Sequence, residues 1–214
     1  FETWSKSLQA ELKACENLKK SMVYQQALEK VIQINDDKKV LDRISNLLLA
    51  LSVSVDRTQF NKIQSDISYL KGYLEDRVQV NNQYHHLKNQ AENIIGNNIS
   101  ELEQKKSLLQ QCQEIAPDLA KQDDISQTLE LTKNALFNLY CSVAEDSKEE
   151  NEWVDAINLY NKAKEIDPTK KIEDTNETPF DRLIKCKYGH QKHLIHLGKQ
   201  EYRAKNFNEA KNYF

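Results

Sequence analysis

Residues 153–168 read Trp153-Val-Asp-Ala156-Ile-Asn-Leu-Tyr160-Asn-Lys-Ala163-Lys-Glu-Ile-Asp-Pro168. Bulky aromatic and small side chains follow one another at steps of three and four, which places them on a single face of an α-helix. Pro168 ends this helix, because proline lacks the N–H that would continue the hydrogen-bond ladder. We therefore predict a helix with one face suited to close contact with a neighbouring helix.

The preceding segment predicts the partner helix. Tyr140 and the pair Val143-Ala144 lie on it, and the small Ala144 lets the second helix approach closely while Trp153 and Tyr160 fill the contact. Together the two segments, about residues 137–168, resemble a tetratricopeptide repeat, a helix pair that stacks on its neighbours.

The C-terminal residues 191–214 resemble the same family. They match the family's spacings at Leu197, Gly198, Phe207, Ala210 and Phe214. The resemblance implies that the closing proline lies beyond residue 214 and that the array continues past the C-terminus. The two repeats are not contiguous, because an insertion of residues 169–190 separates them. We predict that this insertion is a polar loop followed by a lengthened helix, from about Pro179 to Ala204, with proline at its first position.

The composition favours helices throughout the chain. The 214 residues include only four glycines and three prolines, and 39% of them are hydrophobic. A β or α/β protein normally needs more turn residues, whereas a modest apolar content suits helices that each offer one stripe to their neighbours. We therefore predict an all-α protein, an elongated array of tetratricopeptide-like helical repeats (an α-solenoid) with long helical hairpins in its N-terminal part.

Residues 1–118 form the first predicted domain, an irregular region of long helices with degenerate repeats as an alternative. We expect a helix from about Glu2 to Ile34 that stops at residues 35–37, then a second helix from Asp37 to Val55. After Asp56 the pattern shows a heptad-like seam, which consists of Phe60, Ile63, Ile67, Leu70 and Leu74.

The phase of this seam slips between Gly72 and Asn82, which argues against a long parallel coiled coil. An antiparallel hairpin and a long helix packed on its neighbours are the remaining interpretations. Asn98 followed by Glu101 resembles a capping box, and it predicts a helix that runs to about Ile115. Residues 119–214 form the second predicted domain, which begins with a long helix from about residue 125 to residue 148 and contains both repeats.

Cysteines and histidines raise the question of a metal site. The four cysteines lie far apart without CxxC spacing, so we predict buried, reduced thiols: Cys15, Cys112, Cys141 and Cys186. One predicted helix carries Cys186, His190, His193 and His196 at steps of four, three and three. This spacing could present two or three metal ligands, but contacts with a partner are the preferred interpretation, and we expect no metal site and no cofactor.

The sequence contains no catalytic triad order, HExxH motif or glycine-rich phosphate loop, so we expect no enzyme and no small-molecule substrate. The net charge of −3 favours neither nucleic acid nor a membrane surface as a partner. The most apolar stretch, residues 44–55, is too short to span a bilayer. We expect a cytoplasmic protein, and we interpret the chain as a fragment because it starts without Met.

The charge distribution locates a candidate binding surface, because basic residues outnumber acidic ones after Asp181. The resemblance implies that the first helix of each repeat lines a concave groove. In this register the groove receives Lys192, Ile195, His196, Lys199, Tyr202 and Arg203. Such a cationic, partly aromatic surface suits an acidic or C-terminal peptide, although a solvated charged face is the plain alternative.

The leading hypothesis is a non-enzymatic scaffold or adaptor that binds a protein or peptide partner. Cys141 and Glu145 occupy two positions at which the family's clamp for chaperone tails needs Lys and Asn, so we do not infer chaperone binding. A structural module that self-associates through the long helices of residues 56–115 is the first alternative. Nucleic-acid binding through the basic C-terminal helix is the least favoured one.

Overall fold

A computed structural model describes residues 2–50, 58–173 and 175–213, and every regular element in these ranges is an α-helix. The predicted all-helical class is therefore confirmed for this part of the chain. The helices are α1 (Glu2–Lys20), α2 (Tyr24–Ala50), α3 (Thr58–Asn93), α4 (Ile99–Ile115), α5 (Pro117–Gln122), α6 (Ile125–Glu149), α7 (Trp153–Ile166), α8 (Pro179–Arg203) and α9 (Phe207–Tyr213).

The chain divides into two compact units, residues 1–86 and residues 87–214. In the first unit, α1, α2 and the N-terminal part of α3 share one hydrophobic core. Its buried members are Leu8, Leu12, Cys15, Ala27, Val31, Ile34, Leu41, Ile63, Ile67, Leu70 and Leu74. From Ile63 onward, the seam predicted on α3 faces this core. The domain boundary predicted between residues 118 and 119 stays a prediction.

The junction between α1 and α2 corrects the prediction of one helix from Glu2 to Ile34. Helix α1 ends at Lys20, and Met22 adopts a left-handed backbone with φ of 60°. The N–H of Val23 then donates to the carbonyl of Leu18 at 3.0 Å, which closes the helix end with a Schellman-type bond. No glycine marks this position in the sequence, so the usual signal of such an end is missing.

The predicted stop at residues 35–37 is also wrong, because α2 continues through them. Side-chain pairs support the helix here: Lys39 contacts Asp36 at 2.8 Å, and Gln33 donates to Asp37 at 3.1 Å. Core residues are buried before and after the polar triplet, so tertiary packing overrides its low helix propensity. The predicted helix end at Val55 and the start at Asp56 lie outside the described residues.

Helix α3 is a single helix of 36 residues that passes through Gly72 without a break. Of the two interpretations that the phase slip left open, the long helix is correct and the hairpin is wrong. Gly72 is exposed, and a Cβ atom at this position would meet no other atom within 4 Å. Packing therefore places no demand on glycine here.

In the second unit, helices that follow one another along the chain pack in sequence. Helix α6 contacts α7, α7 contacts α8 and α8 contacts α9, while α4 and the short α5 lie against α6. Helix α4 begins as predicted, since the side chain of Asn98 accepts the N–H of Glu101 at 2.9 Å. The carboxylate of Glu101 reaches back to the N–H of Asn97 at 2.8 Å, one residue earlier than an ideal capping box.

The close contact predicted between the helices of residues 137–168 is present. Ala144 on α6 and the alanines at 156 and 163 on α7 are completely buried, and Tyr140 and Tyr160 are almost so. The predicted loop and lengthened helix after Pro168 are confirmed as well. Helix α8 starts at Pro179 within a capping box formed by Thr178 and Asp181, and it extends to Arg203.

Candidate functional site

Helix α8 carries a row of exposed large side chains, which we call the α8 stripe: Phe180, Ile184, Tyr188, Ile195 and Tyr202. Their exposed fractions lie between 38% and 62%. They follow one another at steps of four and seven residues, so they share one face of the helix. Single exposed apolar residues are common, but a continuous row on one helix is typical of an interaction surface.

Contacts on the opposite face of α8 determine which side of the helix the stripe occupies. Leu183 and Cys186 are buried in the core shared with α6 and α7. Gly189 allows the ring of Trp153 on α7 to approach the backbone of α8, since a Cβ atom there would lie only 2.5 Å from a ring carbon. The indole ring centroid also lies 6.5 Å from that of His193. Contact with α7 on this side leaves the stripe facing solvent.

All six binding residues predicted from the sequence lie on α8 and are exposed: Lys192, Ile195, His196, Lys199, Tyr202 and Arg203. The ammonium group of Lys192 lies 4.4 Å from the ring centroid of Tyr188, which is a cation–π distance. The ring of Tyr202 meets Phe207 of α9 edge to face at a centroid distance of 5.4 Å. Cationic side chains therefore lie beside the aromatic residues of the α8 stripe.

The binding residues predicted from the sequence do not include three members of the stripe: Phe180, Ile184 and Tyr188. They precede residue 191, where the resemblance to the repeat begins, so the register gave them no role. The signal that could have found them is their four-residue spacing inside the helix predicted from Pro179.

A second concave feature, which we call the α6 groove, lies between α6, α7, the start of α8 and the described loop residues 167–173 and 175–178. Its volume is about 310 Å³. Helix α6 lines it with Cys141, Ser142 and Glu145, and the loop lines it with Ile172 and Thr175. The loop that separates the two predicted repeats therefore folds over the surface of α6.

Glu145 is the centre of the polar contacts in this groove. Its carboxylate accepts the hydroxyl of Tyr160 at 2.6 Å, the guanidinium of Arg182 at 3.3 Å and the ammonium of Lys148. Burial by itself raises the pKa of Glu145, but the hydrogen bonds from Lys148 and Tyr160 and the charge of Arg182 outweigh it and lower the pKa below its usual value. Burial and the hydrogen bond to Glu145 raise the pKa of Tyr160. Glu145 is therefore ionised and Tyr160 is neutral at pH 7.

The loop is attached to the helices by charged and polar side chains. Nε of Arg182 lies 2.7 Å from a carboxylate oxygen of Glu177, and Lys185 contacts the other oxygen. Asn138 of α6 donates to Glu173 at 2.9 Å. Lys170 donates to the side chain of Asn134 on α6 at 2.9 Å, and its ammonium lies 4.6 Å from the ring centroid of Phe137. Glu173 and Glu177 of the loop thus contact donors on the helices, whereas Lys170 of the loop donates to α6.

All four cysteines are buried thiols outside any disulfide, which confirms the prediction made for them: Cys15, Cys112, Cys141 and Cys186. Burial raises the pKa of the Cys141 thiol to about 11, so it stays protonated and is a poor nucleophile. Cys186 is completely buried while His196 on the same helix is exposed. Within the described ranges, no three His, Cys, Asp or Glu side chains converge to hold a metal ion.

None of the helices in the described ranges combines the length and the apolar character needed to cross a membrane. Comparisons with protein-family models, with curated proteins and with solved structures found no match for this chain.

Proposed function

We propose that this protein is a non-enzymatic scaffold that binds a protein or peptide partner along the α8 stripe. The observation that carries the proposal is the row of five exposed large side chains on one helix face. Large aromatic side chains dominate binding energy at interfaces because they bury much apolar area at a low cost in conformational entropy. The stripe supplies three of them, Phe180, Tyr188 and Tyr202.

The charges beside the stripe indicate the chemistry of the partner. Lys192, Lys199 and Arg203 are exposed along the same side of α8. They favour a segment that combines acidic residues with apolar anchors, and they accelerate its association by electrostatic attraction that salt weakens. Because α8 is held by α7 and α9, its stripe is ordered before binding, and little ordering entropy opposes the complex.

We further propose that residues 137–168 and 191–214 belong to a tetratricopeptide-like array. The helix-by-helix packing of α6 to α9 supports this architecture. The complete burial of Ala144 and of the alanines at 156 and 163 also supports it, because these are the small positions of the repeat. In that register the six predicted binding residues lie on the concave side of the array.

Selection from a library of random peptides displayed on phage tests the proposed function. Wild-type protein is expected to enrich peptides that carry Asp or Glu together with an aromatic or aliphatic anchor. The variant Lys192→Glu/Lys199→Glu is expected to bind those peptides at least about tenfold more weakly, since two attractive charges become repulsive. The control Lys62→Glu/Lys121→Glu changes the net charge equally at exposed lysines on α3 and α5. Equal loss in both variants, or enrichment of no peptide, would reject the site.

Self-association is a second candidate function. Exposed apolar side chains on α1 and α2 favour it: Trp4, Val40 and Leu47 are 52%, 48% and 66% exposed. Sedimentation equilibrium of the wild type tests this candidate, and a monomer at all concentrations up to about 100 µM would reject it. Self-association through residues 56–115, nucleic-acid binding through the C-terminal helix and a cytoplasmic location stay predictions.

A further inference from the structure

We propose that a groove between α1 and α2, which we call the α1–α2 groove, binds a partner segment that carries an arginine or lysine near an apolar side chain. The volume of the groove is about 250 Å³. It belongs to the first unit of the chain, whereas the α8 stripe belongs to the second. Its lining includes Trp4, Leu8, Glu11, Asp37, Val40 and Leu41.

The apolar part of the groove combines a buried floor with exposed side chains above it. Leu8 and Leu41 are buried members of the hydrophobic core of the first unit, so the floor is fixed by the packing of the helices. Trp4 and Val40 line the same groove, and each is about half exposed. A partner that covers them gains apolar contact, and tryptophan is among the side chains that contribute most to binding at interfaces.

The two carboxylates lie toward one end of the groove. Helices α1 and α2 are joined by residues 21–23 alone, and such a short connection makes an antiparallel helix hairpin. Glu11 is seven residues nearer to this connection than Trp4, which is about 10 Å along α1. Asp37 is likewise nearer to the connection than Val40 on α2. The groove therefore has an acidic end and an apolar end.

Charge complementarity determines which occupant fits the acidic end. Of the described residues that line the groove, two carry carboxylates and none is Lys or Arg. The two lysines that follow Asp37 on α2 contact carboxylates outside the lining. Lys38 contacts Asp42 at 2.7 Å, and Lys39 contacts Asp36 at 2.8 Å. A cationic side chain complements the acidic end, whereas an acidic one is repelled.

The dimensions of the groove favour a peptide segment over a small molecule. A volume of about 250 Å³ lies below the range of about 300–1,000 Å³ that is usual for pockets that bind drug-sized ligands. The distance of about 10 Å between its ends corresponds to three residues of extended chain. A segment with a cationic residue about three positions from an apolar one therefore reaches both ends.

A library of random peptides displayed on phage, selected on the wild-type protein, tests the inference. We expect it to enrich a class of peptides in which Arg or Lys lies near an apolar residue. Fluorescence anisotropy then measures the affinity of a labelled peptide of this class. Trp4→Ala should weaken its binding at least about tenfold, whereas Tyr69→Ala, which removes an exposed aromatic ring of α3, should not.

A second pair of variants tests the acidic end without changing the size of its side chains. Glu11→Gln/Asp37→Asn should weaken binding of the basic peptide at least about fivefold, because the attractive charges are removed. The control Glu29→Gln/Asp66→Asn removes the same charges at exposed positions of α2 and α3 and should bind like the wild type. Circular dichroism checks that each variant keeps the helix content of the wild type.

Three results would overturn the inference. The first is the absence of a basic class among the enriched peptides. The second is equal affinity of Glu11→Gln/Asp37→Asn and its control for the basic peptide. The third is a wild-type dimer in sedimentation equilibrium that Trp4→Ala dissociates, because a second copy of the chain would then cover the groove. Glu11→Gln/Asp37→Asn should leave the binding of acidic peptides unchanged, so failure at this groove and failure at the α8 stripe are distinguishable.

Discussion

A pair of glycine-to-alanine substitutions provides a stringent test of the packing of α7 on α8. Gly72 in α3 and Gly189 in α8 both lie inside helices, where alanine is favoured over glycine by about 1 kcal/mol. At Gly72 a new Cβ atom meets no other atom within 4 Å, so the free energy of unfolding of Gly72→Ala should rise by about that amount. At Gly189 the same atom would lie 2.5 and 2.7 Å from two ring carbons of Trp153.

Those distances are about 1 Å shorter than an ordinary carbon–carbon contact, so the indole or the helix must shift. Overpacking of this kind costs about 1–3 kcal/mol. With the propensity gain subtracted from a central cost of about 2 kcal/mol, Gly189→Ala should lose about 1 kcal/mol net. The two variants should therefore change stability in opposite directions, and each kcal/mol corresponds to about 2–4 °C in Tm for a chain of this size.

Equilibrium unfolding in urea measures both changes. The protein has two tryptophans, so a Trp4→Phe background makes Trp153 the only indole and lets its fluorescence report on the second unit. Circular dichroism at 222 nm follows Gly72→Ala in the same background. If Gly189→Ala stabilises the protein as much as Gly72→Ala does, Trp153 does not cover Gly189 and the orientation assigned to the α8 stripe is wrong.

Three further predictions concern local features. Glu145→Gln should destabilise the protein by about 1 kcal/mol at pH 7, which urea midpoints at pH 7 and pH 3 measure. Because folding lowers the pKa of Glu145, this difference should persist above the unfolded-state pKa of about 4.3 and vanish as the pH falls through the folded-state pKa. Asn98→Ala should cost about 1 kcal/mol by removing the N-cap of α4, whereas Asn158→Ala on an exposed face of α7 should change the urea midpoint little; equal midpoints for both would contradict the cap. The buried thiols should react with a disulfide reagent only after urea is added, and they are those of Cys15, Cys112, Cys141 and Cys186. Rapid reaction of the native protein would contradict their burial.

Local signals predicted the start of two helices well. Asn98 and Thr178 are N-caps with side chains that accept backbone N–H groups, and Pro179 occupies the first position of α8. These features depend on residues within one turn of each other, so the sequence alone contains the information. The break at Met22 could not be predicted in this way, because a non-glycine residue adopts the left-handed backbone there.

The two candidate sites also differ in how far local sequence signals indicate them. The repeat register located the C-terminal half of the α8 stripe, and helical spacing alone could have added Phe180, Ile184 and Tyr188. The α6 groove was not predicted, because its contacts join residues far apart in the chain. Asn138 and Glu173 are 35 residues apart, and Glu145 and Arg182 are 37 apart. No periodicity links such pairs, so only the folded chain shows that the loop lies over α6.

Site-specific photocrosslinking shows whether the partner binds along the α8 stripe. A benzophenone amino acid is placed at Tyr188 or at Tyr202 on the stripe, or at Tyr69 on α3 as an equally exposed control. Each protein is irradiated with an acidic peptide selected by the wild type, and mass spectrometry identifies the adducts. Binding along the α8 stripe predicts peptide adducts from positions 188 and 202 and none from position 69. Adducts from position 69 alone, or from none of the three positions with a peptide that still binds, would contradict it.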